Sequence, residues 1–146
     1  MKPYKKISAE PKSLQEPTFG FSIGDFSSPI SIARNGVKYG FLLDIAEKLS
    51  INLQELSDVL HVSLRTLQRY VPSKKLDTDA SSKALQLAAI LKKGTEVFGS
   101  EKATNTWMNS RIPAFGGKMP KEFLDTPFGF QMLEEELTRI QHGVFA

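Results

Sequence analysis

The sequence predicts an all-α protein built from two small helical domains, and three observations predict it. Apolar residues recur at the i, i+3, i+4 spacing of helices in one run after another from Val37 onward. Those runs are bounded by Ser, Thr, Gly or Pro at positions suited to start or stop a helix. The alternation expected of a strand is confined to Phe19, Phe21 and Ile23.

Length and composition narrow the class. A chain of 146 residues is the size of one domain or two small ones, and an apolar fraction of 40% supports a core. No apolar run is long enough to span a bilayer. The stretch Met1–Pro17 is basic and polar without an apolar centre, so no signal peptide is expected. The chain has no cysteine, which excludes disulfides and thiolate metal sites. A net charge of +3 permits nucleic-acid contact without requiring it. The sign is uneven: Lys2, Lys5, Lys6 and Lys12 make the head basic, whereas Glu122, Asp125 and Glu134 to Glu136 make the tail acidic. Different partners for the two ends are expected.

The elements follow in order. Residues 1–36 are broken by Pro3, Pro11, Pro17 and Pro29 and by Gly20, Gly24 and Gly36, which reads as a partly ordered arm with residues 1–17 mobile. Phe41, Leu42, Ile45, Ala46 and Leu49 then set a helix over Val37–Leu49. Two short helices, Leu53–Leu60 and Leu64–Val71, flank the tripeptide HVS, and Pro72 ends the run. After the polar SKKLDTD, a helix begins near Ser81, buries Ala84, Leu87, Ala88 and Leu91, and closes at Gly99. Ser100 caps a helix carrying Ala103 and Trp107. A turn of helix covers Lys121–Leu124. Thr126 as N-cap and Pro127 at the first position open the last helix, whose stripe is Phe130, Leu133, Leu137 and Ile140 and which Gly143 stops.

Within LQELSDVLHVSLRTLQRY, residues 53–70, Leu56, Leu60, Val62, Leu67 and Tyr70 are spaced so that two helices share one core, in the order of a DNA-reading helix-turn-helix. Ser63 caps the second helix, leaving Leu64, Arg65, Thr66, Gln68 and Arg69 on outward faces. Arginine pairs with guanine, glutamine with adenine, and Ser or Thr holds phosphate. In the turn, where glycine is usual, stands His61, which costs about 1 kcal/mol if its backbone is left-handed. The alternative is a plain helical hairpin with solvated arginines.

The loop IPAFGGKMP, residues 112–120, raises the question of a phosphate cradle. A phosphate-binding loop needs a glycine five positions before its Gly-Lys and a hydroxyl residue just after. Ile112 and Met119 stand there, so the cradle is rejected. No nucleophile elbow or metal-ligand spacing appears, His61 and His142 lie far apart, and Glu134–Glu136 fan around a helix as a solvated face. No catalytic residue, metal ligand or cofactor is therefore expected. Pro113 and Pro120 fix backbone angles, and Gly116 and Gly117 allow close approach by another chain. Trp107 and Phe115 are either anchors for a partner or the filling of a small core.

From about Asn35 onward the chain resembles antitoxins of the Xre/MbcA/ParS family. Phe98, Gly99, Ala103, Trp107, Pro113, Phe115, Gly116, Gly117, Pro120, Leu124, Thr126, Gly129, Leu137, Ile140 and Gly143 fall in the order and spacing of that family's toxin-binding domain, and VSLRTLQR is similar to its helix-turn-helix. Phe115 stands where the family usually has leucine, and Ser110-Arg111-Ile112 is a longer lead into Pro113. The resemblance implies an N-terminal helix-turn-helix DNA-binding domain over 35–78 and a toxin-binding domain over 79–146; residues 1–34, read above as a partly ordered arm, lie outside it. It implies a cytoplasmic antitoxin, not an enzyme, that binds a cognate RES-type, NAD-degrading toxin or a related ADP-ribosyltransferase-like enzyme. A homodimer within the toxin–antitoxin complex is expected to bind operator DNA through Ser63, Arg65, Thr66, Gln68 and Arg69. Toxin contact is expected at Trp107, Arg111, Pro113, Phe115, Gly116, Gly117, Gln141, Gly143, Val144 and Phe145. The tail Val144-Phe145-Ala146 either enters the toxin's NAD pocket or frays. A helix-turn-helix regulator with a different protein partner is the alternative.

Overall fold

The longest apolar stripe in the sequence becomes the axis of the fold. The computed structural model describes residues 28–143. It consists of α1 (Ser28–Asn35), α2 (Tyr39–Lys48), α3 (Leu53–Leu60), α4 (Leu64–Arg69), α5 (Thr78–Phe98), α6 (Glu101–Met108) and α7 (Pro127–Gly143), with 3-10 turns at Pro113–Phe115 and Pro120–Phe123. Among the described residues the fold is all-α, as the spacing predicts. Extended pairing is limited there to two isolated bridges, Lys38 with Lys75 and Ile112 with Lys118.

Helix α5 is central because more than one of its faces is apolar. Ala84, Leu87, Ile90 and Leu91 have no solvent exposure. The helix packs against α1, α2 and α3 of the N-terminal half and against α6 and α7 of the C-terminal half. One apolar cluster therefore runs from Ala33 to Leu137 without a break between the halves.

The helix ends follow the capping chemistry. Asp77 Oδ1 accepts from the Ala80 amide at 2.8 Å, so α5 starts at Thr78, three residues earlier than the apolar stripe indicates. Gly99 closes it in the left-handed region at φ +98. Ser100 caps α6 through the Ala103 amide, 3.0 Å, and Thr126 caps α7 through the Gly129 amide, 3.0 Å. Helix α4 is shorter than the Leu64–Val71 expected, because Tyr70 is already extended and proline at 72 disfavours helix just before it. The turn expected at Lys121–Leu124 is a 3-10 turn one residue earlier. Helix α1 lies inside the stretch expected to be an arm. Its Pro29 occupies the first turn, where an amide has no intrahelical acceptor to lose. The strand expected at Phe19–Ile23 and the mobility expected of 1–17 fall outside the described residues.

Two glycines let helices approach closely. A Cβ on Gly94 of α5 would lie 2.3 Å from Thr104 Cγ2, and one on Gly129 of α7 would lie 1.6 Å from the Phe123 carbonyl oxygen. Thr104 is fully buried, its hydroxyl donating to the Ser100 carbonyl at 3.0 Å. Gly94→Ala is expected to lower stability by about 1–3 kcal/mol through overpacking, read from urea unfolding. Thr104→Ala in the same background removes the clashing atoms and should recover part of that loss.

Candidate functional site

Helices α3 and α4 form the helix-turn-helix from the sequence upward. Asn52 and Glu55 cap α3 reciprocally: Asn52 Oδ1 accepts from the Glu55 amide at 2.8 Å, and Glu55 Oε1 accepts from the Asn52 amide at 2.9 Å. Ser63 Oγ accepts from the Thr66 amide at 3.0 Å and donates to Thr66 Oγ1 at 2.9 Å. Ser63 and Thr66 are thus occupied in starting α4. Leu56, Leu60 and Leu67 are buried and Val62 and Tyr70 half-buried against them, the shared core that the spacing predicts. Arg65, Gln68 and Arg69 are exposed, and among the described residues neither arginine makes an ion pair. Tyr70 meets Tyr39 edge to face at 5.1 Å. Burial, and then the neighbouring Tyr70, push the Tyr39 phenol above its ordinary value.

The turn residue His61 does adopt the left-handed conformation, at φ 59 and ψ 40. Its Nε2–H donates to the Asp125 carbonyl at 2.9 Å, tying the turn to the start of α7. That bond belongs to a polar seam between the halves that the sequence did not indicate. Asn105 Nδ2 donates to the Lys48 carbonyl at 2.7 Å and to Ser50 Oγ at 2.8 Å, and Asn109 Nδ2 to the Leu49 carbonyl at 3.0 Å. Lys121 Nζ donates to the Ser50 carbonyl at 3.0 Å and lies 3.1 Å from Glu55 Oε2, its side chain only 11% exposed. Ser50, at φ 55, is the other left-handed non-glycine among the described residues. Asn105 of α6 and Asn109, the cap at its C-terminal end, stand four apart, a spacing that marks one polar helix face, but the three acceptors they reach across the seam lie more than fifty positions away.

The loop of residues 110–118 uses its own amides. Gly116 N–H donates to the Pro113 carbonyl at 3.0 Å, Gly117 N–H to the Ile112 carbonyl at 3.0 Å, and Lys118 N–H to the Phe115 carbonyl at 3.3 Å. A phosphate would have to compete with those bonds, which agrees with rejecting the cradle. Gly116 and Gly117 have φ +69 and +81, and a Cβ on either would meet nothing within 4 Å. Glycine is thus needed for backbone conformation, and the space beside it is open. Arg111 Nη1 donates to the Gly117 carbonyl at 3.3 Å, folding over the loop.

The expected toxin-contact residues divide. Trp107 and Phe115 are buried, in a ring chain Phe98–Trp107–Phe115–Phe123 with centroids 5.6, 6.1 and 5.5 Å apart. Of the two readings open in the sequence, core filling describes them in this structure; they hold the loop from behind. Arg111, Pro113, Gly116 and Gln141 are exposed and Gly117 half-buried. Gly143 is the last residue of α7 and is not left-handed, and Val144 and Phe145 fall outside the described residues. Glu134 and Glu135 face solvent, while half-buried Glu136 pairs with Arg139. Phe128, a residue that its sequence context does not single out, is 82% exposed three residues after Asp125.

Comparison with known proteins gives both halves a counterpart. Residues 28–89 match the antitoxin Xre-like helix-turn-helix domain. Residues 93–143 match the antitoxin Xre/MbcA/ParS C-terminal toxin-binding domain. The two matches meet within α5, so the helix-turn-helix match extends past residue 78. The chain is 25% identical over 143 residues to a Prs ADP-ribosylating antitoxin of Sphingobium sp. (strain YBL2), covering 89% of this chain and 90% of that one. It is 24% identical over 130 residues to antitoxin Xre of Yersinia enterocolitica, covering 85% and 88%. A chain of the M. tuberculosis MbcT–MbcA toxin–antitoxin complex shares the fold at a TM-score of 0.50 and 20% identity, over 73% of this chain and 95% of that one.

The bond from His61 has a measurable consequence. His61→Ala keeps the left-handed backbone and loses the bond to Asp125, so it should destabilise by about 1 kcal/mol. His61→Gly loses the same bond but relieves about 1 kcal/mol of backbone strain, so it should unfold near the wild-type midpoint. Equal midpoints for the two variants in urea would remove the strain argument.

Proposed function

The chain belongs to the Xre/MbcA/ParS antitoxin family, and from that premise we propose that it blocks the active site of a cognate NAD-degrading, RES-type toxin and represses its own operon. Its place in a toxin–antitoxin system rests on both domain matches and on the antitoxin relatives. The observation that carries the finer reading is the loop over residues 111–117. It is closed by its own hydrogen bonds, backed by buried aromatic rings, and open on its outer side. Such a surface enters a cleft with little ordering cost. The exposed carboxylates Glu134 and Glu135 on α7 suit an electropositive nucleotide-binding cleft.

In this reading Arg111, Pro113, Gly116, Gly117, Gln141, Gly143, Val144 and Phe145 meet the toxin, and Trp107 and Phe115 hold the loop in shape. Operator contact falls to Arg65, Gln68 and Arg69, with Ser63 and Thr66 fixing the start of α4. The antitoxin acts in the cytoplasm as a homodimer within the complex and has no catalysis or cofactor of its own. Among the described residues no helix is long and apolar enough to cross a membrane. The name of the Sphingobium relative favours a second version of the partner, a toxin that transfers ADP-ribose to a protein rather than hydrolysing NAD.

Co-expression with the cognate toxin tests the inhibitory surface. Arg111→Glu combined with Gln141→Lys should restore toxicity and NAD loss in a chain that stays folded, because both side chains are on the surface and only the exposed bond from Arg111 to the Gly117 carbonyl is lost, at about 1 kcal/mol. Healthy cells with high NAD would move the interface off this face. A chain ending at His142 reports on the tail separately, and the purified antitoxin alone should consume no NAD. ADP-ribose appearing on a protein, instead of free nicotinamide and ADP-ribose, would select the transferase partner.

The DNA surface has its own expectation. Arg65→Ala and Arg69→Ala should each cost about 1–3 kcal/mol on the operator and leave neutralisation intact. Unchanged gel-shift affinity for both variants would remove the operator-reading role.

A further inference from the structure

We propose that the segment following the second helix of the helix-turn-helix, Tyr70–Lys75 together with Lys38, is a second DNA-contacting element that grips the phosphate backbone and reads no base. This rests on the operator-binding reading above.

The first support is unspent charge. Lys38, Lys74 and Lys75 are exposed, and among the described residues none of them makes an ion pair. Exposed Lys102 and Lys118 also lack an ion pair, so what sets these three apart is their grouping beside α4. Three ammonium groups without a carboxylate therefore follow or flank α4, which itself ends in the unpaired Arg69.

The second support is placement. Lys74 Nζ lies 4.9 Å from the centroid of the Tyr70 ring. Tyr70 caps α4 directly after Arg69, and its ring is braced edge-on by Tyr39. The Lys74 charge is thereby held at the end of α4. The Lys38–Lys75 bridge places those two residues side by side.

The third support is rigidity. Gly40 N–H donates to the Pro72 carbonyl at 2.9 Å, Tyr39 N–H to the Lys74 carbonyl at 2.8 Å, and Leu76 N–H to the Val37 carbonyl at 2.9 Å. Two glycines let the segments seat this closely. A Cβ on Gly36 would come within 2.7 Å of the Leu76 carbonyl oxygen, and one on Gly40 within 3.3 Å of that of Pro72. A pinned segment loses little freedom on binding, so its charges act at small entropic cost.

The residue types select phosphate. Lysine is a compact point charge, and Ser73 adds a hydroxyl donor. The segment has no planar Arg fork and no Asn or Gln amide, and its lysine point charges suit phosphate oxygens; lysine can also reach guanine, which the test below separates.

The test uses the full-length antitoxin and fluorescence anisotropy. The probes are duplexes tiled across the DNA upstream of its own gene and a scrambled duplex of equal length, titrated between low and moderate KCl. Lys74→Gln, Lys75→Gln and Lys38→Gln should each weaken binding to operator and scrambled duplex by the same factor. Each should also make the slope of log affinity against log salt shallower, by roughly 0.9 for every phosphate that the variant no longer neutralises. Lys74→Arg, which keeps the charge, should retain the wild-type slope, whereas Arg69→Ala should lose preference for operator over scrambled DNA. Wild-type slopes in all three glutamine variants, with operator preference present, would overturn this inference and leave operator reading standing. Loss of operator preference in the glutamine variants would make the lysines base readers and also overturn it. A wild-type protein with no operator preference at any salt would sink both.

Discussion

Burial of α5 from several directions is the constraint on which the rest of the structure depends. Leu87, Ile90 and Leu91 have no exposed surface, and that is possible only when α1, α2 and α3 cover the helix along with α6 and α7. Gly94 sharpens the requirement, since the crossing with α6 is too close for any side chain there. Removing either half would strip apolar cover from this helix, at a cost of about 25 cal/mol for each Å² exposed. The two domain matches are therefore distinct in sequence and joined in their core.

A polar seam fixes how the halves meet. Apolar packing alone is non-directional, whereas the hydrogen bonds from Asn105, Asn109, Lys121 and His61 specify one register between α6–α7 and the helix-turn-helix. They converge on the loop after α2, where Ser50 is left-handed, and on the turn where His61 is. Both strained positions are thus held by bonds to the opposite half. Lys121 is central to this, because it also reaches Glu55, one partner of the reciprocal cap on α3.

The two proposed surfaces stand on that shared core. The loop proposed to meet the toxin stands on the Trp107–Phe115–Phe123 ring stack, and the exposed cations lie on and after α4. The exposed Phe128 sits near the seam, three residues beyond the carbonyl that His61 holds.

Much was legible in the sequence because it depends on local chemistry. Helical spacing gave the elements, Ser63, Ser100, Gly99 and Thr126 gave their ends, and the missing phosphate-loop glycine gave the rejection that the loop's internally bonded amides support. The positions of Leu56, Leu60 and Leu67 sufficed for the helix-turn-helix core. What only the tertiary structure decided involves partners distant in sequence. An aromatic residue such as Trp107 or Phe115 has the same local signature whether it is an anchor or a core residue, and only its neighbours in space separate the two. The start of α5 shifted because a cap outranks the apolar stripe, and α1 appeared because proline is harmless in a first turn. Asn105, Asn109 and Lys121 carry no local signature of the seam, since the backbone carbonyls, the Ser50 hydroxyl and the Glu55 carboxylate that they meet there are brought within reach by the fold alone.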